Sequence, residues 1–283
     1  MKISHLLRLY EQGNKEFGGI DLRGMQLSRV TLIAVDLTNA DLMGTDLSRA
    51  FLTKSNFSKA SLNWANLMFA KLSEAWLIEA DLTKANLSGA FMVRANLQGA
   101  KLSGANLCHT NLRGANLGKA NLCGANLYRI NLREANLSNV NFKWANLQEA
   151  RMSGAILEKA SFHGANLGHT FLKDVDLSHA DLQGVNLGEA KMSESNLRGA
   201  NLRMANLRGA HLRNVDLRGA DLTGANLNQA DLDGANLTDA VLDGANLQKA
   251  NFDGTQLSDA LLEENPTRNY PLGLSWQNLG VIV

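Results

Sequence analysis

Proline and cysteine are almost absent from this chain of 283 residues, and long apolar runs are missing altogether. The two prolines are Pro266 and Pro271, and the two cysteines are Cys108 and Cys123. Proline cannot donate a hydrogen bond to a backbone ladder, so the long stretch before Pro266 is free to form continuous ladders. No stretch approaches 18 apolar residues, and the sequence therefore predicts no membrane span.

Neither sign of charge dominates, since 28 lysines and arginines face 27 aspartates and glutamates, for a formal charge of +1. This balance gives no whole-chain electrostatic reason to bind nucleic acid or anionic lipid. The first residues, MKISHLLRLYEQGNKEF, lack the apolar core and small-residue cleavage site of a signal peptide. We therefore expect a cytoplasmic location.

A five-residue repeat runs through most of the chain. From Leu22 to Leu262, every fifth residue is apolar over 49 successive positions, of which 42 are Leu. Two residues earlier, 34 of the 49 positions are Ala, and the residue between is Asp or Asn at 32 of them. A period of five fits neither a helix nor a long strand, but it fits a short strand followed by a turn. In such a strand the Ala and Leu share the inward face, and the fifth residue, often Gly, turns the corner.

A longer period of twenty lies above the period of five. The middle residue is Asn at every twentieth position from 66 to 246, whereas the set that starts at Thr31 has Asp or Asn at 4 of 12 positions. Four repeats therefore make one coil of 20 residues. Leucine-rich repeats are excluded because they need unevenly spaced leucines. About twelve coils at a strand spacing of ~4.8 Å predict a rod roughly 60 Å long.

Units such as Ala85-Asn86-Leu87-Ser88-Gly89 make the chain resemble the pentapeptide-repeat family over residues 17–264. The lead-in, Leu6-Leu7 with Tyr10 and then Phe17-Gly18-Gly19, is similar to that of members abundant in cyanobacteria. The resemblance implies an all-β fold, a right-handed quadrilateral parallel β-helix of about 12 coils with a short N-terminal α-helical cap. We expect three segments: an N-terminal helical cap at 1–16, the β-helix at 17–264, and a C-terminal cap or tail at 265–283.

Nothing in the sequence points to catalysis, to a cofactor or to a metal site. The six histidines fall on different sides of the predicted rod, and Cys108 and Cys123 fall on adjacent sides of successive coils. No nucleophile elbow or phosphate-binding glycine loop is present. A rod filled with leucine also leaves no interior space for a substrate. We therefore predict a protein that is not an enzyme.

Apolar side chains at outward positions are concentrated in two coils. We name this set the aromatic girdle, and its members are Trp64, Met68, Phe69, Trp76, Ile78, Phe91 and Val93. Aromatic residues are enriched at binding hot spots, so the girdle is a candidate partner-binding surface. Its members are spread over all four sides, and shielding of the rod by stacked aromatics is the alternative.

The side of the predicted rod whose middle residues start at Thr31 is the second candidate binding surface, and we name it the variable face. Its middle residues include Phe51, Phe91 and Phe171, which alternate with cations. The side that starts at Gln26 and carries the unbroken Asn series is named the asparagine face. The variable face is either a binding face or a solvated side whose residues have drifted.

Charge is divided along the rod. Five successive post-leucine positions form an arginine ring, namely Arg198, Arg203, Arg208, Arg213 and Arg218. Residues 191–220 sum to +4, and residues 220–264 sum to −8. This contrast could steer a polar partner, neutralise itself between coils or support head-to-tail contact, and a solvated surface also explains it.

Two functions compete. The first is a non-enzymatic scaffold that binds an unidentified protein through its outer faces, as a monomer or weak dimer. The second, drawn from another branch of the family, is a DNA mimic that modulates a type II topoisomerase such as gyrase. That role needs a strongly negative surface along much of the rod and a dimerisation module, for which the tail from Trp276 to Val283 is a weak candidate. Direct nucleic-acid binding is disfavoured because the arginine ring is short and has no interleaved aromatics.

Overall fold

One helix opens the fold. The computed structural model describes residues 3–258, and within them helix α1 spans Ile3–Glu11. Leu6 is fully buried in the same apolar cluster as the leucines of the repeats. The backbone N–H of Ile33 donates a hydrogen bond of 3.1 Å to the Tyr10 hydroxyl. These contacts hold α1 over the first repeats and keep water from the apolar end of the core.

After α1, each repeat contributes a single residue to a parallel β-bridge. The described chain therefore has no strand longer than one residue. The middle residue of one repeat pairs with the residue 20 positions later, from the Glu16–Asp36 bridge to the Asn236–Gln256 bridge. The period of twenty is therefore present in the structure. Four sides result. The first face has middle residues at 21, 41 and so on to 241, the asparagine face at 26 to 246, the variable face at 31 to 251, and the fourth face at 36 to 256.

Three kinds of backbone hydrogen bond join successive coils. The N–H of Leu107 donates to the Asn126 carbonyl at 2.8 Å, and the N–H of Asn126 donates to the Ala105 carbonyl at 2.9 Å. The corner N–H of His109 donates to the Tyr128 carbonyl, also at 2.9 Å. Because these bonds run along the rod, each coil is stabilised by its two neighbours, as expected for a repeat protein.

The core consists of columns of Leu and Ala that are almost completely buried. Each fully buried Leu contributes on the order of 1.5–3 kcal/mol, and the small Ala keeps the coil narrow. Ser or Thr replaces Ala at a few inward sites, and there the hydroxyl donates to the carbonyl oxygen 23 residues earlier, as Thr110 does to Leu87 at 2.8 Å. No buried side-chain polar atom of residues 3–258 lacks a hydrogen-bond partner.

The corner residue of each repeat lies in the left-handed region, with φ near +60°. Glycine tolerates this conformation and occupies many corners, but among the described residues more corners are occupied by other residues, including Trp64, Phe69 and Trp144. A left-handed conformation costs an ordinary residue roughly 1–2 kcal/mol. The corner N–H gains an inter-coil hydrogen bond in return, so the coil imposes this conformation whatever the side chain.

Side-chain ladders reinforce the backbone ladders. On the asparagine face, Asn126 Nδ2 donates to Asn106 Oδ1 at 3.3 Å, and Asn146 Nδ2 donates to Asn126 Oδ1 at 3.3 Å. The ladder therefore has a direction, from the amide of the later coil to the oxygen of the earlier one. A carboxylate only accepts, so Asp can open a ladder but cannot continue it. Asp46 accordingly accepts from Asn66 at 2.9 Å, where the ladder begins.

Several predictions fall at the edge of the described residues. Among residues 3–258, no helix combines the length and the apolar character needed to cross a bilayer. The predicted tail at 265–283, the end of the repeats at 264 and the acids Asp259, Glu263 and Glu264 lie outside the described residues. The three segment boundaries therefore stay predictions.

Candidate interaction surface

The interior of the rod is filled, so any site must lie on the outer faces. The inward leucines and alanines around Leu107 have no solvent exposure. Within residues 3–258, no three His, Cys, Asp or Glu side chains are close enough to hold a metal ion. Cys108 and Cys123 are both free thiols, and burial raises the pKa of the Cys108 thiol. The outer side chains are thus the groups left to recognise another molecule.

The members of the aromatic girdle differ in how much of their surface is exposed. Trp64 and Trp76 expose 60% and 57% of their surface, and Phe69 and Phe91 are also exposed. Met68, Ile78 and Val93 are half-buried between them. Trp64 and Phe69 occupy corners, and Trp76 and Phe91 occupy middle positions on the fourth and variable faces. The girdle therefore surrounds the rod, and the structure does not gather it into one flat patch.

Corner side chains lean over the following coil. The ring of Phe69 covers Gly89, where an added Cβ would lie 2.5 Å from ring atom Cδ1. Above Trp64 the next corner is Lys84, whose Nζ lies 4.5 Å from the indole centroid. A ring at one corner is thus accommodated by glycine or covered by a cation at the next corner.

Cations cover the rings of the variable face as well. Lys71 Nζ lies 3.3 Å from the ring centroid of Phe91, and Lys191 Nζ lies 4.4 Å from that of Phe171. Cation–π pairs of this kind stabilise by roughly 0.5–1 kcal/mol at exposed sites. The alternation of Phe and Lys seen in the sequence therefore becomes pairs between adjacent coils. Phe51, also on this face, is exposed and is in no such pair within the described residues.

A shallow groove lies beside the girdle at the edge of the variable face, with a volume of about 370 Å³. Val93 and Arg94 line it, together with Arg113 and Glu134, whose side chains are joined by an ion pair of 2.7 Å. This hydrogen bond and the nearby positive charges hold the pKa of Glu134 below its ordinary value. Arg94 is in no ion pair within 4.0 Å among residues 3–258, so its guanidinium is available to a carboxylate from another molecule.

The arginine ring is only partly free. Arg203 pairs with Asp221 at 3.0 Å and Arg213 pairs with Asp233 at 2.5 Å, in each case with the next coil. Arg218 pairs with Asp216 on its own repeat at 2.5 Å, and this contact holds the pKa of Asp216 below its ordinary value. Arg198 and Arg208 are in no ion pair within the described chain. The basic and acidic segments therefore neutralise each other in part.

Five exposed large apolar residues were missed by the sequence analysis, namely Ile33, Met43, Trp144, Ile156 and Met204. Trp144, Ile156 and Met204 expose 62%, 56% and 70% of their surface. Each of the five occupies an outward position of its repeat, so the repeat register would have predicted its exposure. They lie apart from the girdle, and the Trp144 ring covers Gly164 as Phe69 covers Gly89.

A polar cluster occupies one corner of the asparagine face. The Tyr128 hydroxyl donates to Glu149 Oε1 at 2.8 Å, and Arg129 Nε donates to Glu149 Oε2 at 2.7 Å. The hydrogen bond to the carboxylate raises the pKa of the Tyr128 phenol, and the bond from Arg129 lowers the pKa of Glu149. All three side chains are satisfied by one another, so this cluster stabilises the coil pair and leaves little for a ligand.

The repeats match a known protein family. A family model described as pentapeptide repeats matches residues 17–263 in overlapping segments. The solved structure of HetL, a pentapeptide repeat protein involved in heterocyst differentiation regulation from the cyanobacterium Nostoc sp. strain PCC 7120, is 36% identical over 93% of this chain and 98% of its own, with a TM-score of 0.26. Rfr23 from the cyanobacterium Cyanothece 51142 is 23% identical over 51% of this chain and 88% of its own, with a TM-score of 0.26.

QnrB1, a plasmid-mediated fluoroquinolone resistance protein, is 17% identical over 95% of this chain and 99% of its own, with a TM-score of 0.36. No curated protein sequence matches the chain. The repeats themselves, matched along almost all of the described chain, are what assign the family.

Proposed function

Because this chain belongs to the pentapeptide-repeat family, we propose that it is a non-enzymatic scaffold that binds another protein through the outer faces of its β-helix. The proposal includes the right-handed, four-sided winding that the family implies, with about twelve coils over 17–264. Parallel bridges between residues 20 apart, from Glu16 to Gln256, support this number of coils. A cytoplasmic location and a monomer or weak dimer remain predictions.

The observation that carries the proposal is the aromatic girdle on a filled rod. Most outward positions elsewhere hold polar residues, whereas here large apolar side chains project into solvent within two coils. Exposed aromatics of this kind commonly supply the buried centre of a protein interface. The core has no room for a ligand. The function that these exposed residues support best is therefore the binding of a partner protein, which removes their apolar surface from water.

The charges around the girdle indicate an acidic partner segment. Lys54 and Lys59 are paired with Glu74 and Glu79, at 3.8 and 4.0 Å. The remaining cations near the girdle are in no ion pair within the described chain, and they are Arg49, Lys71, Lys84, Arg94 and Lys101. Three of them lie on girdle rings. A partner segment with carboxylates beside apolar side chains would satisfy both kinds of group.

Affinity capture from the source organism tests the proposal. We expect the chain with Trp64, Phe69, Trp76 and Phe91 all changed to Ser to lose its partner. The matched control changes Trp144, Ile156 and Met204 to Ser, which removes equally exposed apolar groups outside the girdle. If the girdle variant keeps every captured protein, the girdle is not the binding surface. A variant with Lys71 and Lys84 changed to Gln should release the partner at lower salt, because exposed charge pairs are screened.

The alternative, a DNA mimic acting on a type II topoisomerase, receives less support. A mimic needs unpaired negative charge along much of the rod, yet Asp221 and Asp233 are bound by arginines of the preceding coil. A gyrase supercoiling assay separates the two functions. Inhibition at micromolar protein would favour the mimic, and unchanged supercoiling would favour the scaffold.

A further inference from the structure

The inter-coil hydrogen bonds are continuous along the described rod except at one junction. Between residues 154–165 and 173–186, all three kinds of inter-coil bond are missing over a contiguous area. The backbone amides that lack the expected acceptor there belong to Gly154, Leu157, Lys159, Phe162, Gly164, Asp176, Asp181 and Asn186. The parallel bridges expected at 156–176 and 161–181 are also absent. A gap of this kind needs a physical cause, because unmade backbone hydrogen bonds are costly.

The gap spans the fourth and first faces with the corners beside them, and it ends at the Asn186 amide on the asparagine face. On the fourth and first faces the coils are separated, whereas the variable and asparagine faces remain joined. Met152 N–H donates to the Phe171 carbonyl at 2.9 Å, and Leu167 N–H donates to the Asn186 carbonyl at 2.7 Å. On the asparagine face the side-chain ladder also persists, with Asn186 Nδ2 2.7 Å from Asn166 Oδ1. The junction is therefore a wedge, closed along one edge of the rod and open along the opposite edge.

Packing in the core explains the wedge. Phe142 and Phe162 occupy the same inward column in successive coils, and their stacked rings are 5.4 Å apart. That distance exceeds the ~4.8 Å strand spacing, so the second ring presses toward the following coil. In that coil Val175 and Val185 replace the usual inward Ala. Excess volume in a packed core forces the backbone to shift, here by opening the junction above Phe162.

The side-chain ladders fail at the same place. Ile156 on the fourth face has no amide, and Ser161 on the first face is too short to span the coil spacing. Asp176 and Asp181 follow them and open new ladders, accepting from Asn196 at 3.0 Å and Asn201 at 2.9 Å. Neither side chains nor backbone thus hold these two sides together. Core residues beside the gap are correspondingly less buried, with Ala160 and Ala180 partly exposed.

From this geometry we infer that the rod contains a hinge between the coils 151–165 and 171–186. The closed edge, on the variable and asparagine faces, acts as its axis, and the chain itself crosses there through residues 166–172. Bending widens or narrows the gap on the fourth and first faces without breaking any bond that the structure contains. The two halves of the rod, one with the aromatic girdle and one with the arginine ring, can then change their relative angle while each half stays rigid. The inference does not depend on the proposed binding function.

Hydrogen exchange on the unmodified protein tests the hinge directly. Amides at 154, 157, 159, 162 and 164 should exchange at least about tenfold faster than those at 134, 137, 139, 142 and 144, because only the first set lacks acceptors. The two sets occupy the same positions one coil apart, so each amide has its own internal control. Equal protection in the two sets would overturn the inference.

A distance measurement tests the bending itself. Spin labels are placed on the fourth face in a background with Cys108 and Cys123 changed to Ser. The pair Ser138→Cys with Thr238→Cys spans the junction, and the pair Thr38→Cys with Ser138→Cys spans the same number of residues without it. At ~4.8 Å per coil both pairs should lie about 24 Å apart in a straight rod. We expect a broader and longer distance distribution for the spanning pair, and matching distributions would overturn the hinge.

A repair variant links the hinge to its cause. Phe162→Leu removes the second ring of the stack and should restore amide protection at 157 and 162. Phe57→Leu is the matched control, since Phe57 is a fully buried inward residue in a complete part of the ladder. If Phe162→Leu leaves the exchange of these amides as fast as before, overpacking is not what opens the junction.

Discussion

Exchanging amide for carboxylate within one ladder gives a sharp test of how the coils are joined. Asn126 and Asp46 occupy equivalent positions on the asparagine face, and each is followed three residues later by an arginine at the corner. Asn126 Oδ1 accepts from Asn146 Nδ2 and from the Tyr128 backbone N–H, as a carboxylate would. Its Nδ2 also donates to Asn106 Oδ1, which a carboxylate cannot do. We therefore expect Asn126→Asp to be destabilising and Asp46→Asn to be nearly neutral.

The expected magnitude follows from the bonds that change. Asn126→Asp loses one hydrogen bond, worth about 0.5–1.5 kcal/mol, and turns a charged oxygen toward the Asn106 oxygen. The loss should be about 1–2 kcal/mol of unfolding free energy. For a chain of this size, each kcal/mol shifts the melting temperature by roughly 2–4 °C.

Asp46→Asn keeps the bonds that Asp46 accepts from Asn66 Nδ2 and the Ser48 N–H, at 2.9 and 3.0 Å. It should therefore change the melting temperature by less than about 2 °C. Thermal unfolding followed by circular dichroism measures both variants against the unmodified chain. The directional ladder is refuted if Asn126→Asp has the same melting temperature as the unmodified chain. It is also refuted if Asp46→Asn lowers the melting temperature as much as Asn126→Asp does.

Two further predictions follow from the corners and from the surface charges. Gly89→Ala should lower the unfolding free energy more than Gly124→Ala, because both residues have positive φ but only Gly89 lies under a ring, that of Phe69. Equal losses in urea denaturation would show that the ring moves aside freely. Arg23→Gln should raise the Asp21 pKa from about 2 toward its ordinary value, because the largest lowering comes from the Arg23 side-chain hydrogen bonds, although the backbone N–H of residue 23 still donates to Asp21. A carboxyl NMR titration measures this change in the Asp21 pKa. Since the folded pKa is depressed, the stability from this contact is present above pH ~4 and is lost as the pH falls toward 2.

Sequence periodicity predicted most of the fold because its causes are local. Leu at one position and Ala two before it define the inward side of each repeat, and the unbroken Asn series from 66 to 246 defines one of four sides. The exposed positions of Trp64 and Trp76 follow from the same register. The cation–π pairs of Lys71 and Lys191 do not, because they depend on which way a side chain leans toward its neighbouring coil.

The sequence by itself thus determined the repeat, the coil length and the residues that face inward. Tertiary structure decided three other features. It placed residues such as Trp144 in the left-handed region at corners, because the inter-coil hydrogen bond outweighs their local preference. It divided the arginine ring into paired and unpaired members. It also opened the junction above Phe162, since core volume there adds up across coils that lie 20 residues apart, beyond the reach of any five-residue pattern.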